Sequence, residues 1–299
     1  MSVLTFTPLK RIAIERPITT FCVVAIGLTL PLQTALLLAG LDVLPGKLAE
    51  LLFLTGTAAL ITSWIGGRSA VRRLFGGLTK WRIGTGRWAL VLLAMPILTI
   101  GVAAATGTLH RPDHGWAGEA LNYLVLLVLI ALTASLWEET AWSGFVQRRL
   151  MNRHGLLVGS MLTAIPFGLI HLPLAFEADG WAGTTWSEAF VNWAFLLGAV
   201  PFLRYLIGVL LIDTKGSVLA VAILHASFNA SGGLSVVPAG WQYVPALIIL
   251  TALVAVHRRL SGRSLVTGHV DSGPETAHLP IVTKTPDERH DPRLRTPTL

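Results

Sequence analysis

Ala120–Phe145 reads ALNYLVLLVLIALTASLWEETAWSGF. The only charges in these 26 residues are the adjacent carboxylates of Glu138 and Glu139. At 1.5 Å per residue a helix of this length crosses a hydrocarbon core of roughly 30 Å. In lipid every backbone polar group must be satisfied internally, so an apolar run this long implies a membrane-spanning helix. An ionisable side chain at the centre of such a span costs at least about 2.5–3.5 kcal/mol unless it is paired or hydrated. The stretch therefore implies a helical membrane protein that keeps two glutamates at depth for a reason.

The rest of the chain agrees. It has 299 residues, 53% hydrophobic and 13% charged, with a mean hydropathy of +0.65. Soluble domains carry about 25% charged residues, so lipid is the main solvent. Seven further apolar segments are predicted at Ile18–Gly40, Leu48–Gly66, Trp88–Leu109, Leu156–Phe176, Glu188–Ile212, Ser217–Ser231 and Trp241–Val256. The segment from Ser217 is short for a full span. The fold class is all-α, a polytopic bundle of about eight transmembrane helices. The first apolar run exceeds the roughly 7–15 residues of a signal h-region and lacks a small-residue cleavage site, so it reads as a retained anchor. The single cysteine, Cys22, permits neither an intrachain disulfide nor a cysteine metal site.

Basic residues set the orientation. Lys10, Arg11 and Arg16 precede the first span, and Arg68, Arg72, Arg73, Lys80, Arg82 and Arg87 follow the second. Arg148, Arg149 and Arg153 follow the fourth, Lys215 the sixth, and Arg258, Arg259 and Arg263 the eighth. The alternate loops hold only Lys47 and Arg111. This pattern predicts that both termini are cytoplasmic, and it accounts for the net charge of +7 without a nucleic-acid partner. The divisions expected are a cytoplasmic arm over 1–17, three spans over 18–118, a second membrane unit over 119–257 and a tail over 258–299. From about Ser261 the tail is rich in Pro, Thr, Asp and Arg and is expected to be disordered.

Several polar residues stand out in the spans. Glu138 and Glu139 point about 100° apart on a helix, so one faces a cavity and the other braces a neighbour. A charged helix end near Arg148 and Arg149 is the plainer alternative. His171 lies between Pro166 and Pro173, where the backbone is already irregular and a wet pocket can open. Taken alone, a buried histidine is more often structural. His225 and Asn229 share one helical face at i, i+4, as an interhelical polar clamp also would. Arg204 is a further buried charge, placed either to pair with Glu138 or Glu139 or to snorkel to one face.

These residues resemble the CAAX-protease and bacteriocin-processing family of intramembrane proteases, the type II CAAX endopeptidase-like or Abi family. Its pattern is Glu-Glu-x-x-x-Arg, Phe-x-x-x-His and His-x-x-x-Asn on successive membrane helices. Glu138-Glu139-Thr140-Ala141-Trp142-Ser143 matches the first motif except at its last position, Phe167 to His171 matches the second, and His225 to Asn229 the third. The run Thr214–Ser217 also looks like the family's approach to the third motif. The resemblance spans roughly Glu119 to Ser231 and makes 119–257 the catalytic membrane domain. Ser143 replaces the family's arginine with one short hydroxyl and no charge; Arg204 is the candidate to replace that arginine from another helix.

The resemblance implies peptide hydrolysis without a covalent intermediate. Glu138 with His171 activates a water, His225 and Asn229 stabilise the oxyanion, and Glu139 orients the site. A zinc site of His171, His225 and Glu138 uses the same residues, and the two readings stand side by side. The partners implied are the lipid bilayer and a membrane-associated peptide or protein, in a multi-pass protein of a bacterial plasma membrane. A catalytically impaired binding or immunity protein is the first rival, favoured by Ser143; a proton-coupled transporter is the second. Depth poses one question. Glu138 and His225 each lie ten residues, about 15 Å, from a basic loop, but His171 lies eighteen, about 27 Å. Its helix must start below the surface, tilt, or bend at Pro166.

Overall fold

A computed structural model describes residues 8–42, 44–176, 180–238 and 240–270. Residues 1–7 of the N-terminal arm and most of the predicted tail (271–299) lie outside the described residues, and with the latter the expectation of disorder there. The described elements are helical, with no strand among them. The chain is a polytopic membrane helix bundle.

A short helix α1 (Pro8–Glu15) turns into α2 (Pro17–Leu38), where Pro17 takes the first helical position; its missing N–H costs nothing there. α3 (Leu44–Gly76) breaks at Gly66 and Gly67, the latter at φ 64°. The predicted second span ends at the same point, and the remainder of α3 carries the basic residues. α4 (Thr85–Ala105) and α5 (Gly115–Ile130) follow. A π-helical stretch (Ala131–Ser135), α6 (Leu136–Ala141), a second π-helical stretch (Trp142–Gln147) and α7 (Arg148–His154) then continue α5 as one rod. Gly155, at φ 82°, reverses the chain into α8 (Leu156–Ile170), and a 3₁₀ turn follows at Leu172–Phe176. A single turn α9 (Gly180–Gly183) leads to α10 (Trp186–Asp213), then α11 (Val218–Gly232) and α12 (Tyr243–Leu260).

Six helices among the described residues are long and apolar enough to cross a membrane. α8 and α11, each of 15 residues, are shorter, about 22 Å. Eleven of the fifteen residues of α11 are buried. It is enclosed by α4, α5, α6, α10 and α12, so protein satisfies it rather than lipid and it has no need to span. Thr185 caps α10 with Glu188 in a reciprocal capping box. Ser217 caps α11, accepting from the Ala220 N–H at 3.1 Å and donating to the Lys80 carbonyl at 2.6 Å.

One end of the bundle collects the basic loops. The Lys80 Nζ donates to the Lys215 carbonyl at 2.7 Å, Arg148 packs on Gly216, and Arg258 and Arg263 both pair with Asp213.

The segment 261–270 departs from the expected disorder. Val270 is buried, its N–H donates to the Asn152 Oδ1 at 2.9 Å, and the Leu157 N–H donates to the Val266 carbonyl at 3.1 Å. Composition alone hides this: Leu265, Val266 and Val270 are few, but they have a ready groove at the start of α8.

Candidate active site

Glu139 is fully buried and receives four donors. Arg204 on α10 grips it in a two-pronged pair, Nη1 to Oε2 at 3.0 Å and Nη2 to Oε1 at 2.7 Å. The His225 Nδ1 lies 2.8 Å from Oε1, and the Ser143 hydroxyl, one turn on in the same helix, donates to Oε2. A carboxylate taken out of water needs this much compensation. Arg204 is itself fully buried and lies over the Phe167 ring, with Cζ 3.7 Å from the ring centroid. It does not snorkel. Its partner is Glu139, one of the two carboxylates to which it was expected to pair.

Glu138 differs from its neighbour in exposure. It is partly exposed, with its Oε2 3.8 Å from the His225 Nδ1. The two glutamates occupy a short α-helical turn between two π-helical stretches. Such wider turns recur at functional sites. They release backbone groups that other residues take up: the Trp137 Nε1 donates to the Leu132 carbonyl at 3.0 Å, and Thr55 of α3 donates to the Trp137 carbonyl at 3.0 Å.

His171 caps the C-terminus of α8, half-buried, with its Nδ1 2.6 Å from the Phe167 carbonyl. The Phe167 ring lies between the histidines, 4.4 Å from the His171 ring and 5.8 Å from that of His225. Leu156, Gly159 and Ser160 are buried in the first turns of α8, Leu157 and Val158 are exposed, and the helix runs on through Pro166 without ending.

A carboxylate and a carbonyl are acceptors only, so both histidines carry hydrogen on Nδ1 and turn Nε2 outward. Asn229 sits one turn beyond His225 on α11 and is exposed. Glu138, His171 and Asn229 each keep accessible surface, whereas Glu139, Arg204, Ser143 and His225 are buried. The Nε2 atoms suit a metal by their chemistry. Among the described residues no group of three His, Cys, Asp or Glu side chains that could hold a metal ion is found.

Sequence reading missed Gln147, whose amide donates to the Arg204 carbonyl at 2.7 Å and the Ser160 hydroxyl at 3.2 Å. Glu139, Ser143 and Gln147 recur every four residues in an apolar helix, a polar stripe that was there to be read. It missed Glu50 as well, buried in α3 with Gln33 donating to it at 2.7 Å.

Fold and site together define a polytopic helical membrane protein with an acid–imidazole site inside its bundle. Residues 120–231 match the family model described as type II CAAX prenyl endopeptidase Rce1-like. No curated protein sequence matches the chain.

Proposed function

We propose that the protein is an intramembrane endopeptidase that hydrolyses peptide bonds of membrane-associated substrates in a cell membrane. The observation that carries this reading is the buried clamp on Glu139, which fixes His225 and leaves Glu138 beside it, partly open. Glu138, assisted by the His171 Nε2, takes a proton from water as the water oxygen bonds to the scissile carbonyl carbon. The oxyanion is received by the Asn229 amide and by His225 when its Nε2 carries a proton. The C–N bond then breaks and Glu138 returns its proton to the leaving amine. Glu139 acts through His225 as a positioning residue.

The reading as a non-catalytic binding protein rested on the loss of an arginine at Ser143. Arg204, supplied by another helix and paired with Glu139, weighs toward the catalytic reading. The test is cleavage of membrane-anchored peptides by the full chain in proteoliposomes. Glu138→Gln, nearly the same shape without the charge, is expected to slow cleavage by about 100-fold or more while leaving the melting temperature within a few degrees. Cleavage by that variant at the parent rate sinks the mechanism.

A further inference from the structure

A cavity separate from the acid–imidazole site lies between α4, α10 and α12. Its volume is about 370 Å³, within the range of small-molecule sites. Its walls are apolar, from Leu90, Leu206, Val209, Leu224, Leu250 and Val254. Its rim is charged, from Arg87, Arg258, Arg263 and Asp213, with His257 beside them. From Arg258 to Leu250 the cavity follows eight residues of α12, about 12 Å. The charge is uneven: Asp213 is the one acid, it already accepts from Arg258 at 3.0 Å and Arg263 at 3.2 Å, and three arginines leave the rim at a surplus of positive charge. Arg258 is 3% exposed, and its Nε is buried with no partner, a donor left over in a site that otherwise satisfies its polar groups.

We propose that this cavity binds an anionic phospholipid of the leaflet on the basic side of the bundle, with the headgroup phosphate among Arg87, Arg258 and Arg263 and the upper part of one acyl chain against the leucines below. Basic pockets between membrane helices on the cytoplasmic side take such headgroups. The volume admits part of one chain and no more, so the rest of the lipid stays in the bilayer. A soluble anion would leave the apolar depth unused, and a neutral lipid would leave the arginine surplus unanswered. Leu224 adjoins His225 on α11, and Leu206 lies two residues from Arg204 on α10, so an occupant also braces the two helices that hold the Glu139 clamp.

The test is native mass spectrometry of the full chain released from nanodiscs containing equal phosphatidylglycerol and phosphatidylcholine. The wild type is expected to retain phosphatidylglycerol about tenfold over phosphatidylcholine. Arg87→Gln with Arg263→Gln, both exposed positions, is expected to bring that ratio close to one. Arg72→Gln with Arg73→Gln, on the same end of the bundle but outside the cavity, is expected to leave it unchanged. Equal retention by the wild type overturns the proposal, as does a preference that survives the first pair or falls equally with the second. Inorganic phosphate that displaces the bound lipid also overturns it, since the site would then read phosphate alone. None of these readouts involves proteolysis, so they stand or fall apart from the protease reading.

Discussion

At the scale of residues, Glu139 and Arg204 are each buried with no exposed surface and joined by two hydrogen bonds. Removing one partner leaves the other as an uncompensated charge, a loss of about 3–5 kcal/mol. Arg204→Met is therefore expected to lower thermal stability in detergent sharply. Arg204→Lys is expected to rescue little, because an ammonium cannot reproduce the planar two-pronged grip. Glu139→Gln combined with Arg204→Met is expected to recover much of the loss; a double variant no more stable than Arg204→Met would show that the pair is not the source of the effect. Ser143 belongs to the same unit. Restoring the family's arginine by Ser143→Arg places a second cation in a fully buried spot beside Arg204. It is expected to destabilise the protein, and Arg204→Leu in the same chain is expected to relieve that, read as the melting temperatures of the four forms.

At the scale of elements, the site depends on how α7 and α8 meet. A side chain at Gly159 would put its Cβ 2.5 Å from the Met151 nitrogen, a contact with backbone that cannot move aside. Gly159→Ala is thus expected to push α8 away from α7, with a loss of about 1–3 kcal/mol and a fall in cleavage as His171 shifts. Gly198 on α10 has nothing within 4 Å of a Cβ, so Gly198→Ala is the control expected to change neither. Equal melting temperatures for both variants would remove the close approach from the account. The spans themselves were largely legible, since an apolar run in lipid admits few conformations. The two π-helical stretches around Leu136–Ala141 were not. Their wider turns answer to partners on α3 and α11, and no local residue preference encodes them.

At the scale of the whole molecule, the contacts among Lys80, Lys215, Arg148, Asp213 and Arg258 draw loops far apart in sequence to one end. Alternation of charge along the chain had predicted that grouping. A cysteine introduced at Arg72 is expected to react with a membrane-impermeant thiol reagent only from the cytoplasmic face, and one at Arg111 only from the opposite face, in a Cys22→Ala background. Labelling of both from one side would overturn the orientation. The segment 261–270 shows where reading by composition fails at this scale: it packs because α8 and Asn152 offer it a seat, and that seat exists only once the bundle has formed.

The sequence by itself determined the solvent, the helical class and the list of polar groups held at depth, because hydrocarbon penalises each of those choices locally and residue by residue. It also carried the three ordered motifs within the matched segment. Tertiary structure decided which glutamate is clamped and which is open, and that Arg204 from a distant helix is the residue that grips it. Those outcomes depend on distances between residues up to 86 positions apart in the chain, and such distances arise only when close-packed rods settle against one another.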